Sequence, residues 1–304
     1  MREDDSGFPP GPGIPARLAP GIRLVLAPNP SPMTERGTNT WLLGEGRVTV
    51  LDPGPDLPAH LAAIMAALAP GERIERIVVS HSHVDHSPAA RPLAQATAAP
   101  VLAFGDARAG RSARMQRLGG LGLDGGEGVD RDFRPHERLA DGDALDIGGT
   151  LLQVLHTPGH LGNHLSFLWG KALFSGDTVM GWAPSLVSPP DGDLTDFMRS
   201  LDRLEALGDT RLYPGHGAPV ADGPGRIRAL RAHRLGREAA IRAAIADGAR
   251  DAEAVMAQVY TDVPQALLPG ALRNVLAHLI DLEARDLVAF DGLPGPRTPL
   301  AGRG

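Results

Sequence analysis

Ile77-Val78-Val79-Ser80-His81-Ser82-His83-Val84-Asp85-His86 runs from an apolar strand into a loop that carries three imidazoles and a carboxylate within six positions. A loop at a strand end can aim several side chains at one point. Imidazoles spaced this closely make poor solvators and good ligands for a borderline-soft divalent cation, whereas the plain alternative is a solvated polar loop. The chain has no cysteine, so any metal must be held by His, Asp or Glu. Disulfides and a cysteine nucleophile are excluded by the same absence.

Upstream, Ile22 to Ala27, Asn39 to Gly44 and Arg47 to Leu51 read as strands, the last ending at Asp52-Pro53-Gly54. Leu57 to Leu68 has helical spacing and stops at Pro70-Gly71. Downstream, a helix is expected over Pro88 to Ala96 and a strand over Val101 to Phe104. Gly105 to Val129 mixes glycine and arginine without a clean period, and predicts a mobile loop or a poorly ordered insertion. Strand pattern returns at Leu145 to Leu155, Leu165 to Trp169 and Ala172 to Phe174. It is followed by a helix over Leu194 to Leu207 and a short strand at Arg211 to Tyr213. Strands alternating with helices predict a layered α/β core.

After Pro224 the composition turns helical, with patterns over Arg226 to Asp247, Ala252 to Tyr260 and Leu272 to Leu287 before Val288 to Phe290. This predicts a small winged-helix unit. The expected organisation is a flexible tail over 1–16, a catalytic domain over 17–224, the winged helix over 225–291 and a disordered tail over 292–304.

The chain has 304 residues, an ordinary apolar fraction of 42% and a net charge of −6. A charge of that sign argues against wholesale wrapping of nucleic acid, although a local basic stripe stays open. No run has membrane-spanning length and the start has no secretory pattern, so a cytoplasmic location with no membrane partner is expected.

Three later motifs carry further ligand types: His160 in Thr157-Pro158-Gly159-His160, Asp177 in Ser175-Gly176-Asp177-Thr178, and His216 in Tyr213-Pro214-Gly215-His216-Gly217. Together with His81-x-His83-x-Asp85-His86, their order resembles the signature of the metallo-β-lactamase superfamily. The resemblance implies an αββα sandwich in which His81, His83 and His160 hold one metal and Asp85, His86 and His216 hold the other. Asp177 would bridge them. The implied cofactor is two Zn²⁺, with iron or manganese as other occupants. The implied reaction is hydrolysis of an anionic ester, thioester or phosphodiester by a hydroxide held between the ions, with Asp85 and Asp177 as catalytic carboxylates. Five imidazoles and two carboxylates around two Zn²⁺ leave a charge of about +2, which favours anionic groups. Asp52 is expected beside the site as a partner of the ligands, against a turn-forming role. His164 would support the ligands or touch substrate. His156, His60, His136, His233 and His278 are expected to be structural.

Within the superfamily, the absence of cysteine excludes one large antibiotic-hydrolysing subclass. The imidazole at His83 departs from the di-iron flavoproteins, and Val179-Met180-Gly181-Trp182-Ala183 lacks the basic residues of glutathione-thioester hydrolases. Residues 20–290 are most similar to lactamase-β-like proteins with a C-terminal winged helix, including Leu279-x-x-Leu282-Glu283-Ala284-x-x-Leu287-Val288. That resemblance implies either single-stranded RNA or a small-molecule or carrier-bound acyl thioester as substrate, and a homodimer is compatible with it. Arg226, Arg228, Arg231, Arg234, Arg237, Arg242 and Arg250, against Glu238 and Asp247, could meet a phosphate backbone or form a solvated helix face. Two rival readings are a mononuclear iron oxygenase acting on a persulfide and a non-catalytic nucleic-acid-binding protein.

Overall fold

A computed structural model describes residues 11–125 and 127–302. One sheet has seven strands in sequence order: β1 (Ala16–Ala19), β2 (Ile22–Leu26), β3 (Asn39–Leu43), β4 (Arg47–Leu51), β5 (Arg73–Val78), β6 (Val101–Ala103) and β7 (Glu137–Arg138). The first four strands are antiparallel and the remainder run parallel to β4. The second sheet comprises β8 (Ala144–Ile147), β9 (Thr150–His156), β10 (Leu165–Trp169), β11 (Ala172–Gly176) and β12 (Arg211–Pro214). It is antiparallel except for the β11/β12 pair.

Side-chain alternation assigns the faces. Leu24, Trp41, Leu43, Leu51 and Val78 face Val154, Phe167, Phe174 and Tyr213 of the second sheet across a buried core. Their neighbours Val25, Leu42, Val50, Ile77 and Val79 face the other way and pack with Ile64 of α1 (Pro58–Ala66) and Leu93 of α2 (Ala90–Thr97). On the far side, Leu173 and Leu212 meet Phe197, Leu201 and Leu204 of a helix over Leu194–Glu205. The result is the expected αββα sandwich.

Three expectations fail for identifiable reasons. Residues 105–129 contain a helix, α3 (Ala113–Gly120), capped by Ser112 Oγ accepting from Met115 N at 3.2 Å. Met115, Leu118 and Leu123 are buried against Ile280, a partner more than 150 residues away that no local period reveals. Helix α4 is the element over Leu194–Glu205, followed by α5 (Gly223–Ala246), α6 (Ala252–Val259) and α7 (Leu268–Ala284). The expected boundary at 225 falls inside α5. This helix gives Ile227 and Leu230 to the sandwich and Ile241 and Ala244 to the C-terminal core. The tail expected to be disordered from 292 returns as β14 (Leu300–Gly302), paired antiparallel with β13 (Val288–Phe290), with Leu300 N donating to Arg250 O at 2.7 Å. Its order comes from long-range pairing, which its proline and glycine content conceals. Of the tail expected to be flexible, residues 1–10 lie outside the described residues. Gly13 N donates to Leu26 O at 2.9 Å and Ala16 already belongs to β1. Residues 303–304 are likewise outside the described set. No helix among the described residues is long and apolar enough to cross a membrane.

Candidate metal centre

The ligand-type residues sit at the strand ends of both sheets, on one rim of the sandwich. β4 is followed directly by Asp52, held at φ 53° in the left-handed region that Asp tolerates better than most residues. Its side chain organises the neighbouring loop. Oδ1 accepts from Ser80 N at 2.7 Å and Oδ2 from Ser80 Oγ at 2.8 Å. The same Oδ2 lies 3.1 Å from His86 Nδ1. Because Ser80 Oγ donates to Asp52, it accepts from His81 Nδ1 at 2.9 Å.

This arrangement fixes the imidazole tautomers. A carboxylate or a backbone carbonyl can only accept, so a ring nitrogen bonded to it carries the proton and the opposite nitrogen carries a lone pair. His86 Nδ1 faces Asp52, His160 Nδ1 donates to Leu186 O at 2.7 Å, and His216 Nδ1 donates to Gly37 O at 3.1 Å. The free nitrogens converge. His83 Nδ1 lies 3.0 Å from both His81 Nε2 and His160 Nε2, and His86 Nε2 lies 3.2 Å from His216 Nε2. Asp177 stands between the two sets, with Oδ1 3.4 Å from His86 Nε2 and Oδ2 3.7 Å from His160 Nε2 and 3.4 Å from His216 Nε2. Asp177 Oδ1 is buried without a hydrogen-bond partner. Asp85 Oδ2 lies 3.1 Å from His216 Nε2.

Two groups of potential ligand atoms result, each within 4.8 Å: His81, His83, His160 with Asp177, and Asp85, His86 with His216. Converging imidazole nitrogens and a carboxylate oxygen without a hydrogen-bond partner are the donor set a pair of cations fits. Electrostatics divide the site in the same way. Burial, reinforced by neighbouring imidazoles, drives His81 well below its usual range and His83 down to about 3. His160 is also lowered, chiefly by burial. In the second set burial opposes protonation too, but the carboxylates of Asp177 and Asp85 overcome it. His86 is raised well above its usual range and His216 to about 10. Burial would raise the two carboxyls, yet the imidazoles hold both Asp85 and Asp177 below the ordinary range. A proton and a divalent cation are thus alternative partners for the same lone pairs.

Glycines allow the close approach. A Cβ on Gly215 would lie 2.3 Å from Asp177 Oδ1 and 2.7 Å from His86 Cε1. Gly159, at φ 139°, presses on the backbone of Phe197 just before His160. The two sheets are stitched at this rim by Asn39 Nδ2, which donates to Pro214 O and Gly217 O at 2.9 Å each.

Residues outside the two groups take supporting positions. His164 is fully buried; its Nε2 accepts from Asp177 N at 3.1 Å, and its Nδ1 lies 3.0 Å from Thr157 Oγ1. His156 stacks on Phe104 and donates to Gly162 O at 2.9 Å. His60 bonds Thr40, and His278 is buried on α7. The motif residues therefore come together, while the carbonyls of Gly37 and Leu186 escape sequence reading because any residue type supplies one.

The segment that presents Leu186 is held by the C-terminal helices. Arg226 of α5 donates to Met180 O and Ala183 O at 2.6 and 3.0 Å, and Arg234 donates to Ser185 O. Asn274 Oδ1 of α7 accepts from Val187 N at 3.2 Å and from Arg234 Nη1 at 2.9 Å. Three more arginines of α5 are engaged as well, whereas Arg242 is exposed. Arg228 and Arg231 pair with Glu205 and Asp202, and Arg237 lies over Tyr260.

The fold and the site together define a metal-dependent hydrolase. A family model described as the metallo-beta-lactamase superfamily matches residues 33–216, and one described as a beta-lactamase associated winged helix domain matches 252–295. The chain belongs to the metallo-beta-lactamase superfamily. It is similar to a beta-lactamase-like protein 2 homolog of Caenorhabditis elegans, 33% identical over 85% of this chain and 83% of the relative. It is also similar to an atrochrysone carboxyl ACP thioesterase of Aspergillus chevalieri, 27% identical over 96% of this chain and 90% of the relative. Among solved structures, a beta-lactamase domain protein from Burkholderia ambifaria superposes with a TM-score of 0.81 at 25% identity, covering 99% and 96% of the two chains.

Proposed function

We propose that this chain is a dinuclear zinc thioesterase, hydrolysing the acyl thioester of an anionic, carrier-linked substrate. The convergence of imidazole lone pairs from two complete ligand sets on Asp177 carries the reading, since a mononuclear oxygenase would leave the second set without a purpose. His81, His83 and His160 would hold one ion, Asp85, His86 and His216 the other, with Asp177 shared. Bound there, a zinc pair supplies Lewis acidity towards a carbonyl oxygen and a nucleophilic water at neutral pH.

The chain's own groups do the positioning. Asp85 keeps a partly exposed carboxylate, 23% accessible, held in its ionised form and placed to accept a proton from the attacking water. Asp177 keeps its orientation through His164, which accepts from its backbone. Three exposed apolar side chains, Met33, Val84 and Trp182, sit on loops that carry or hold ligands and suit an acyl group. The thioesterase relative supports the substrate class. Single-stranded RNA is less well supported, because Arg226 and Arg234 are committed to internal partners and Arg228 and Arg231 pair with carboxylates at the surface.

Thiol release from acyl-coenzyme A and acyl-N-acetylcysteamine by the zinc-loaded protein tests the proposal, with a labelled single-stranded RNA assayed in parallel. Thioester turnover should fall by about 10²–10⁴-fold in Asp85→Asn. Absence of thioester turnover alongside cleavage of RNA would overturn the substrate assignment.

A further inference from the structure

A cleft of about 870 Å³ lies beside the metal centre, its lining including Arg108, Arg111, Arg131 and Arg134. It shares a wall with the site. Val129, in the lining, is bridged to His83, and Asn163 Nδ2 donates both to Ser82 Oγ at 2.9 Å and to Asp106 O at 3.0 Å at the cleft edge.

Four arginines in one cleft are a marked concentration for a chain of net charge −6. Three aspartates also line it, so four arginines against three carboxylates leave a formal charge of +1, and the carboxylates are turned towards partners of their own. Asp191 pairs with Arg111, while Asp106 Oδ1 accepts from Arg108 N and Asp124 Oδ1 from Gly125 N at 3.0 Å each. Arg131 donates to Gly125 O at 3.3 Å, and Arg134 to Arg131 O and Phe133 O at 3.0 and 2.7 Å. Among the described residues no carboxylate lies within 4.0 Å of the guanidinium of Arg108, Arg131 or Arg134. The walls are anchored: Ser112 Oγ donates to Asp193 Oδ2 at 2.7 Å, Arg114 to Ile280 O at 2.7 Å, and Arg273 to Asp124 O at 2.9 Å. Arg131 and Arg134, steadied by carbonyls, and the exposed Arg108 beside them, in a cleft fixed to the fold, suit an anion with several acceptor oxygens.

Building on the thioesterase reading, we infer that this cleft binds the phosphate-bearing end of the substrate's carrier arm, while the thioester lies at the metal centre. A bounded cleft suits one phosphorylated group better than a nucleic-acid strand, which needs a continuous basic track.

Calorimetric titration of the zinc-loaded full chain with coenzyme A, and separately with pantetheine, which lacks the phosphates, tests this without turnover. Coenzyme A should bind at least about tenfold more tightly, with an advantage that shrinks as salt rises. Arg131→Glu combined with Arg134→Glu should abolish the preference, and Arg108→Glu alone should reduce it. Both sites are exposed, and a thermal melt checks folding. Arg199→Glu, outside the cleft, should preserve the preference. Equal affinity for the two probes, an unchanged preference in the charge-reversed protein, or loss of single-stranded RNA binding with coenzyme A binding intact would overturn the inference. A phosphate preference that depends on these arginines in a protein inert to thioesters would instead overturn the catalytic reading and leave the cleft standing.

Discussion

Arg234 donates to the backbone carbonyl of Ser185, one residue before the carbonyl that orients His160. Arg234 is 2% exposed, and its guanidinium stacks 5.0 Å over the ring of Phe197 with no carboxylate partner among the described residues. Burial pushes its pKa down to about 10. A cation buried on such terms is costly unless its hydrogen bonds matter. Here they steady the segment whose carbonyl orients His160, a candidate metal ligand, from a helix that also belongs to the winged-helix side.

Arg234→Met keeps the stacked bulk and removes the donors. The buried Ser185 O loses its side-chain donor at a cost of roughly 1–3 kcal/mol, while Asn274 Oδ1 keeps the bond from Val187 N. Zinc affinity measured by chelator competition should fall about tenfold in a protein that still melts cooperatively; wild-type affinity would show that the helices do not support His160.

Asp52→Asn tests the tautomer argument. One carboxylate receives Ser80 N, Ser80 Oγ and His86 Nδ1, and so orients His81 and His86 together. An amide cannot accept from all three. Zinc affinity should drop about 10–100-fold, the range for partners of metal ligands, and the two ions should be lost together.

Gly215→Ala puts a methyl group 2.3 Å from Asp177 Oδ1. Displacement of the carboxylate that stands between the two groups should lower kcat by about 10²-fold, with secondary structure by circular dichroism unchanged. Full activity would mean that Asp177 is not held where the site needs it.

Acid should destabilise the fold through histidines distant from the ligands. Burial lowers His278 to about 3, with Arg234 adding repulsion, and lowers His60 to about 4. Both bind a proton more readily when unfolded, so their stabilising contribution is complete above about pH 6.5 and declines as pH falls towards 4. Each group steepens the decline by at most about 1.4 kcal/mol per pH unit. Denaturant titrations at pH 7.5, 6 and 5 should show the loss, and His278→Leu should flatten it.

That these motif residues would gather at one place was legible because their chemistry is local: His81 to His86 lie in one loop, and Gly215-His216 and Gly176-Asp177 carry their own spacing glycines. Asp52 was legible as a strand-ending acid. What could not be read depends on chain segments meeting at long range. Leu186 O and Gly37 O act through backbone, α3 is covered by Ile280, and β14 is ordered only by pairing with β13. The arginine pattern of α5 misled for a related reason. Arg226 and Arg234 occupy the same stripe as solvent-facing arginines, and only packing reveals that they point inward.

The rim stitched by Asn39 gives any bound metal a mechanical part as well as a chemical one. Asp85 and His86 follow the first sheet, while His160, Asp177 and His216 follow the second, so each ion would be a rivet through both plates of the sandwich. Chelation should then do more than silence the enzyme. Amide exchange should quicken on the facing edges of β3 and β12 before it quickens in α1 or α6, as the plates begin to slide.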